Sequence, residues 1–292
     1  MFKSKKKRLP VFQDLVISIP LIEICPPGKN DLCSPPFKAF INKYRFSPHY
    51  HLSACVIEKS MSTMLAAVMC YLYDTQAFLD ANRTLGNELF EHRFCKGKNE
   101  KGSLQEIHQT APKADWNYLA IIREPIDRFL SGFTDKCVKE TKRGRGKCYN
   151  CNGNLSCFVQ KQYKRTLDYA SGKMNAIGYE DVHFFPQSWR CGFSSHLAKY
   201  SLIQYGGHGS EFDRMTDQLF DGLRDAGVEQ KDIEWIASQM ENGRTSHATR
   251  TSPERQKFEN ELRGDKELMK MVVRMFYYDF LLFGFPLPVI KE

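Results

Sequence analysis

Lys59-Ser60-Met61-Ser62-Thr63 follows a short apolar run, Leu52 to Ile57, and leads into Met64 to Met69, which is apolar throughout. A strand that ends in a lysine and hydroxyl cluster and then turns into a helix is suited to holding phosphate. Free backbone amides and the positive end of the helix dipole converge there, and the lysine and hydroxyls add donors. No glycine lies between Leu52 and Tyr73, so the glycine-rich loop of nucleoside triphosphate enzymes is missing. That counts against a user of ATP or GTP. A second apolar run, Tyr118 to Ile122, is followed at once by Arg123-Glu124-Pro125-Ile126-Asp127-Arg128-Phe129-Leu130-Ser131-Gly132-Phe133. Pro125 suits a first helical turn, and Ile126, Phe129, Leu130 and Phe133 recur at amphipathic helical spacing. Arg123 therefore stands at a strand end and Ser131 two turns into a helix. There a guanidinium and a hydroxyl can grip one phosphate from two sides. Each residue alone also suits a capping Arg and a solvent-facing Ser. Together, the junctions offer Lys59, Ser62 and Thr63 on one side and Arg123 and Ser131 on the other. Ligands of open α/β sheets bind where strand ends face a crevice, and a nucleotide phosphorylated at both 5′ and 3′ positions needs two such grips.

The elements that position these residues alternate. Strand Leu52–Ile57 feeds a buried helix over Met64–Leu72, and the all-apolar run Tyr118–Ile122 reads as a central parallel strand covered on both faces. Phe158–Ala170 reads as a helix, Val182–Phe185 as a short strand ending at Pro186, and Ser201–Tyr205 as a further strand. Helices follow near Phe212–Ala226 and Lys231–Met240, and one long helix spans Pro253–Phe283. Residues 1–50 read as a basic, proline-rich arm with one strand over 11–19, and residues 51–292 as a single domain with a cysteine-rich insertion near 137–157. The expected fold is α/β: a P-loop-like three-layer arrangement with a central parallel sheet flanked by helices.

The chain has 292 residues and a net charge of +8, but Lys3, Lys5, Lys6, Lys7 and Arg8 supply five of those charges, leaving +3 for the rest. That mild balance tolerates anionic partners and does not call for nucleic acid. Ten cysteines are present, four of them between Cys137 and Cys157 in a segment with little apolar material to pack. Disulfides would hold such a segment and imply an oxidising compartment. The triplets Asn82-Arg83-Thr84 and Asn154-Leu155-Ser156 agree as glycosylation acceptors. Cys148-x-x-Cys151 could instead open a zinc site, but no His follows at finger spacing. The apolar run 11–24 carries Gln13, Asp14, Pro20 and Glu23, and fits neither a spanning helix nor a signal peptide.

The two junctions resemble the carbohydrate sulfotransferases, Golgi enzymes that use 3′-phosphoadenosine 5′-phosphosulfate (PAPS). Lys59-Ser60-Met61-Ser62-Thr63 matches that family's Lys-x-x-(Ser/Thr)-(Ser/Thr) loop for the 5′-phosphosulfate. Arg123 to Ser131 matches its Arg-(Asp/Glu)-Pro-x-x-Arg-x-x-Ser segment for the 3′-phosphate. His183-Phe184-Phe185-Pro186-Gln187, with Cys191 nearby, and Tyr278-Asp279-Phe280-Leu281-Leu282-Phe283-Gly284-Phe285 are similar to the chondroitin and dermatan branch, its nematode members especially. The resemblance spans roughly residues 50–288.

It implies in-line transfer of a sulfuryl group to a sugar hydroxyl, without a metal. Lys59 would stabilise charge on the departing oxygen, with Ser60, Ser62 and Thr63 around the 5′-phosphate and Arg123 and Ser131 at the 3′-phosphate. The base that takes the acceptor's proton would be His183; the alternative for His183 is a hydrogen-bonded core histidine. His108 is the second candidate and Glu58 the third, unless Glu58 simply pairs with a cation. The acceptor would be an anionic polysaccharide, a chondroitin-type glycosaminoglycan, met by Lys142, Arg143 and Arg145 with Lys139 and Lys147; a solvated face is the other reading of that charge run. Localisation would be the Golgi lumen or secretory pathway, with membrane association through a missing or atypical N-terminal anchor. Two other functions compete: a P-loop-type kinase, and a non-catalytic, disulfide-stapled polysaccharide-binding protein.

Overall fold

The computed structural model describes residues 24–26, 32–112, 115–140, 144, 146–242 and 252–290. The strands β1 (Tyr44–Ser47), β2 (Leu52–Cys55), β3 (Glu100–Lys101), β4 (Asn117–Ile122) and β5 (Tyr200–Gln204) form one sheet in the order β3-β1-β2-β4-β5. β2, β4 and β5 run parallel, whereas β1 is antiparallel to both β2 and β3. In register, Cys55 lies opposite Ala120 and Ile122 opposite Gln204, so the carboxyl ends of β2, β4 and β5 reach the same edge of the sheet.

Side chains alternate across β4, and both faces are covered, which is why its sequence is apolar from Tyr118 to Ile122. Leu119 and Ile121 pack with Val68, Met69, Leu219 and Leu223 on one side; Ala120 and Ile122 pack with Phe46, Phe193, Tyr200 and Phe283 on the other. Helices α1 (Ser62–Tyr71), α6 (Gly209–Asp225) and α7 (Gln230–Asn242) lie on the first side. A second cluster joins α3 (Pro125–Gly132), α4 (Leu155–Ala170), α5 (Tyr179–Phe184), α8 (Pro253–Gly264) and α9 (Lys266–Phe283) through Phe129, Phe158, Phe184, Leu262 and Phe276. Helix α2 (Leu104–His108) sets Ile107 into the cluster on the second side of the sheet.

The expected α/β layering is therefore present, with local corrections. Val182–Phe185 is not a strand: α5 takes in Val182–Phe184 and Phe185 lies just past its end, and Asp181 in its first turn accepts from Gly178 N at 2.6 Å and is ion-paired to Arg165. The expected single helix over 253–283 is two, because Asp265 ends α8 and its carboxylate caps α9 by accepting from Glu267 N and Leu268 N at 3.0 Å. The sheet begins ahead of residue 50, since β1 is too short and too mixed to show a period. Residues ahead of β1 are also tied in: Ser34 N donates to Arg274 O on α9. The strand expected over 11–19 lies outside the described residues.

All ten cysteines are paired: Cys25–Cys33, Cys55–Cys191, Cys70–Cys95, Cys137–Cys148 and Cys151–Cys157. Cys148 and Cys151 thus bond to different partners and do not open a zinc site. No helix among the described residues is long and apolar enough to cross a membrane.

Candidate active site

The β2–α1 turn is wound tightly. Lys59 and Met61 both take left-handed backbone conformations, with φ of 68° and 57°, which side-chain-bearing residues adopt only when their surroundings hold them there. No side chain caps α1; the amides of its first turn point out of the turn beside Ser62 and Thr63. Ser62 and Thr63 line a cavity of about 50 Å³ with Lys43, Arg45, Glu58 and Arg93.

The β4–α3 turn is held differently. Glu124 caps α3 by accepting from Asp127 N, Pro125 occupies the first turn, and Arg123 Nε is ion-paired to Asp127 Oδ2 at 2.7 Å. Arg255 on α8 reaches the other oxygen of Asp127 at 2.6 Å. Burial alone would raise the Asp127 pKa, but Arg123 and Arg255 pull it down to about 2. The Arg123 guanidinium also lies 4.2 Å from the centroid of the Tyr205 ring, fixing its plane.

The two turns touch. Arg123 Nη1 donates to the carbonyl oxygen of Lys59 at 2.6 Å. Gln187 locks them together. Its Oε1 accepts from Arg123 N at 2.9 Å and from Ser60 Oγ at 3.2 Å, and its Nε2 donates to Arg123 O at 2.8 Å. Asp279 on α9 holds this loop by accepting from Gln187 N and Ser188 N, both at 2.8 Å. Burial raises the Asp279 pKa, while Arg128 and those amides oppose the rise. Cys55–Cys191 ties the same loop to the end of β2.

Arg128 is fully buried and donates to three carbonyls: Glu58 O, His183 O and Phe185 O, the last at 2.6 Å. It thus fastens the lysine turn to the segment bearing His183. A Cβ at Gly132 would meet Phe184 at 2.8 Å, so only glycine lets α3 approach α5 this closely. His183 Nδ1 sits 2.8 Å from Tyr179 O. A carbonyl can only accept, so Nδ1 carries the proton and Nε2 keeps its lone pair. Burial pushes the His183 pKa down to about 4, with Glu58 raising it and Lys136 and Lys59 lowering it; the imidazole is neutral at ordinary pH and in electrostatic reach of Lys59.

Lys59 Nζ is ion-paired to Asp135 at 2.9 Å. Burial lowers its pKa, Asp135 pushes back, and Arg123 and Lys136 add to the lowering. Glu58 is bound by Lys43 at 2.5 Å and Arg190 at 2.7 Å. Burial would raise its pKa, but those two cations hold it low, making Glu58 a poor proton acceptor. Ser131 is buried two turns into α3.

His108 is not brought to this site. Its Nε2 bonds the Tyr118 hydroxyl near the start of β4, beside a separate groove shared with Gln105, Pro112 and His196. Five strand residues, about 16 Å, separate Tyr118 from Arg123, so His108 cannot act at the lysine turn. Lys142, Arg143 and Arg145 lie outside the described residues. Lys139 is exposed, and Lys147 Nζ donates to Glu140 O.

Sequence reasoning missed Asp135, Gln187, Arg255 and Asp279 as members of the site. Asp279 left a trace: a lone carboxylate inside an apolar helix requires buried partners. Gln187 left only its place in the family-like segment His183–Gln187, with no role attached to it, and Asp135 and Arg255 left none that separates them from surface residues.

The profile described as "Sulfotransferase family" matches residues 42–286. Proteins of Caenorhabditis elegans are among those similar to this chain. "Uncharacterized protein C18B2.2" is 34% identical over 293 residues, covering 99% of this chain and 81% of that protein. "Carbohydrate sulfotransferase chst-1" is 35% identical over 256 residues, covering 86% of this chain and 78% of that protein. No solved structure matches the chain.

Proposed function

This chain belongs to the sulfotransferase family, and from that premise we propose that it is a PAPS-dependent carbohydrate O-sulfotransferase. The acceptor we propose is a sugar hydroxyl of a chondroitin-type glycosaminoglycan, modified in the secretory pathway, with five disulfides consistent with that compartment. The observation that carries the reading is the 2.6 Å hydrogen bond from Arg123 to the Lys59 carbonyl. It supports the reading because it brings the lysine and arginine turns into contact, a separation that one mononucleotide could span.

The residues fit the donor by charge and placement. The uncapped first turn of α1, with Ser60, Ser62 and Thr63, suits the 5′-phosphate, and Arg123 with Ser131 suits the 3′-phosphate. PAPS supplies an activated sulfuryl group: its sulfur–oxygen bond to the phosphate breaks as a bond from sulfur to the acceptor oxygen forms. Lys59 opposes the negative charge that the electron pair brings to the phosphate oxygen. His183 Nε2 takes the acceptor's proton. A base pulled down to about 4 stays unprotonated across the neutral range, at some cost in proton affinity. The basic residues Lys142, Arg143 and Arg145 would meet the anionic polymer.

Transfer of labelled sulfate from PAPS to a panel of chemically desulfated glycosaminoglycans tests this reading. Label in desulfated chondroitin or dermatan is expected. Label in none of the glycosaminoglycans would overturn the acceptor class, and label only in heparan-type chains would overturn the branch.

A further inference from the structure

The ion pair between Lys59 and Asp135 is the feature that the two phosphate grips do not explain. Asp135 lies on a π-helix, Phe133–Lys139, that continues directly from α3. The widened winding is visible where Glu140 N donates to Asp135 O, five residues back, at 2.9 Å. Such π segments are enriched at functional sites. Asp135 is buried, and its carboxylate meets the Lys59 ammonium at 2.9 Å with both side chains about one-tenth exposed.

Among the described residues no other carboxylate is paired with Lys59. Glu58 is already committed to Lys43 and Arg190. Arg123, at the end of β4, and Lys136, on the π-helix, are like charges, and His183 on α5 is neutral. An ammonium this enclosed, with cations around it, sheds its proton readily unless a carboxylate opposes the loss. The cysteine segment buttresses the carboxylate. Cys137, two residues beyond Asp135, is bonded to Cys148, whose backbone N–H donates to Glu180 on α5 at 2.9 Å.

Resting on the sulfotransferase reading above, we propose that Asp135 is a positioning residue that keeps the Lys59 ammonium charged and aimed at the departing phosphate oxygen. The proton stays on Lys59 throughout, so the step adds no proton transfer to the reaction. The Cys137–Cys148 insertion then acts as a brace for the catalytic lysine rather than as decoration on the surface.

The test is the pH profile of kcat for the full chain, with calorimetric binding of adenosine 3′,5′-bisphosphate alongside. In Asp135→Asn the alkaline limb should move at least about one pH unit toward acid, because an opposing charge at this range is worth about 1–3 pKa units. The loss of turnover would then be greatest above that limb, about tenfold or more, and smallest below it, with bisphosphate affinity nearly unchanged. Asp135→Glu should restore the limb. Lys59→Arg should abolish it, since a guanidinium does not titrate there, and Asp135→Asn added to Lys59→Arg should move nothing.

A limb that stays in place in Asp135→Asn, or persists in Lys59→Arg, would overturn the proposal, as would activity lost evenly at every pH together with nucleotide binding. The Lys59→Arg arm holds even where Asp135→Asn fails to fold. A wild-type chain that binds no bisphosphate would remove the sulfotransferase reading as well; an active wild type with an unmoved limb removes Asp135's role alone.

Discussion

At the arginine turn almost every polar group is engaged before any ligand arrives. Arg123 is ion-paired to Asp127, bonded to the Lys59 carbonyl and stacked on Tyr205, while Glu124 caps the helix that follows. At the lysine turn the backbone is strained at two residues, the helix is uncapped, and Lys59 has Asp135 as its counter-charge. The two turns share a strand-to-helix plan, and under the proposed function they divide the labour. A pre-paired turn binds without rearranging, which suits the end of a nucleotide that does not react. An open turn with a charged lysine keeps its donors for the end where charge develops.

Substitutions at the two turns should accordingly separate turnover from affinity. The largest effect is expected for Lys59→Ala: a fall in kcat of about 10²–10³-fold, with little loss of adenosine 3′,5′-bisphosphate affinity. Steady-state kinetics beside calorimetry would read both, and wild-type turnover would refute the assigned role. Arg123→Ala should do the reverse. Losing one charged hydrogen-bonding partner of about 1.5–3 kcal/mol should weaken bisphosphate binding about 10- to 100-fold and erase the preference over 5′-AMP.

Gln187→Leu probes the lock between the turns. It leaves the Arg123 backbone groups and Ser60 Oγ without their partner, at a cost of about 2 kcal/mol. A melting temperature about 4–8 °C lower is expected for a chain of this size, with weakened binding of the whole nucleotide; an unchanged melt and unchanged affinity would show that the turns hold their spacing without it.

The smallest expected effect is at acid pH. The His183 pKa is pushed down to about 4, so its neutral form is available above that pH and is lost only as pH falls through it. The acid limb of kcat/KM should therefore lie near 4 rather than near 6.5, and a limb near 6.5 would assign the base to a solvated histidine.

The layered fold was readable because Leu52–Ile57 and Tyr118–Ile122 carry apolar runs that only a doubly covered strand explains. The two grips were readable because their residues are contiguous in sequence. What brings the grips together was not: Gln187 lies 64 residues beyond Arg123 and Asp279 a further 92 beyond Gln187, and pairing over such distances leaves no local period. His183 was read onto a strand because Val-His-Phe-Phe is β-prone, whereas Asp181 and the packing of Phe184 against Gly132 make it helical. His108 was read toward the site from its place before β4, but the bond to Tyr118 holds it at the far end of that strand. The ten cysteines declared disulfides by number, but their pairing was open until the β2–Gln187 loop and the π-helix each claimed one.

Calorimetric titration of the full chain with adenosine 3′,5′-bisphosphate, 3′-AMP and 5′-AMP, in wild type and Arg123→Ala, tests most directly whether adjoining turns hold the two ends of one nucleotide. The bisphosphate should bind wild type more tightly than either monophosphate, and Arg123→Ala should weaken it to the level of 5′-AMP while leaving 5′-AMP itself nearly unaffected. Equal affinity for all three in wild type, or a bisphosphate preference that survives in Arg123→Ala, would contradict it.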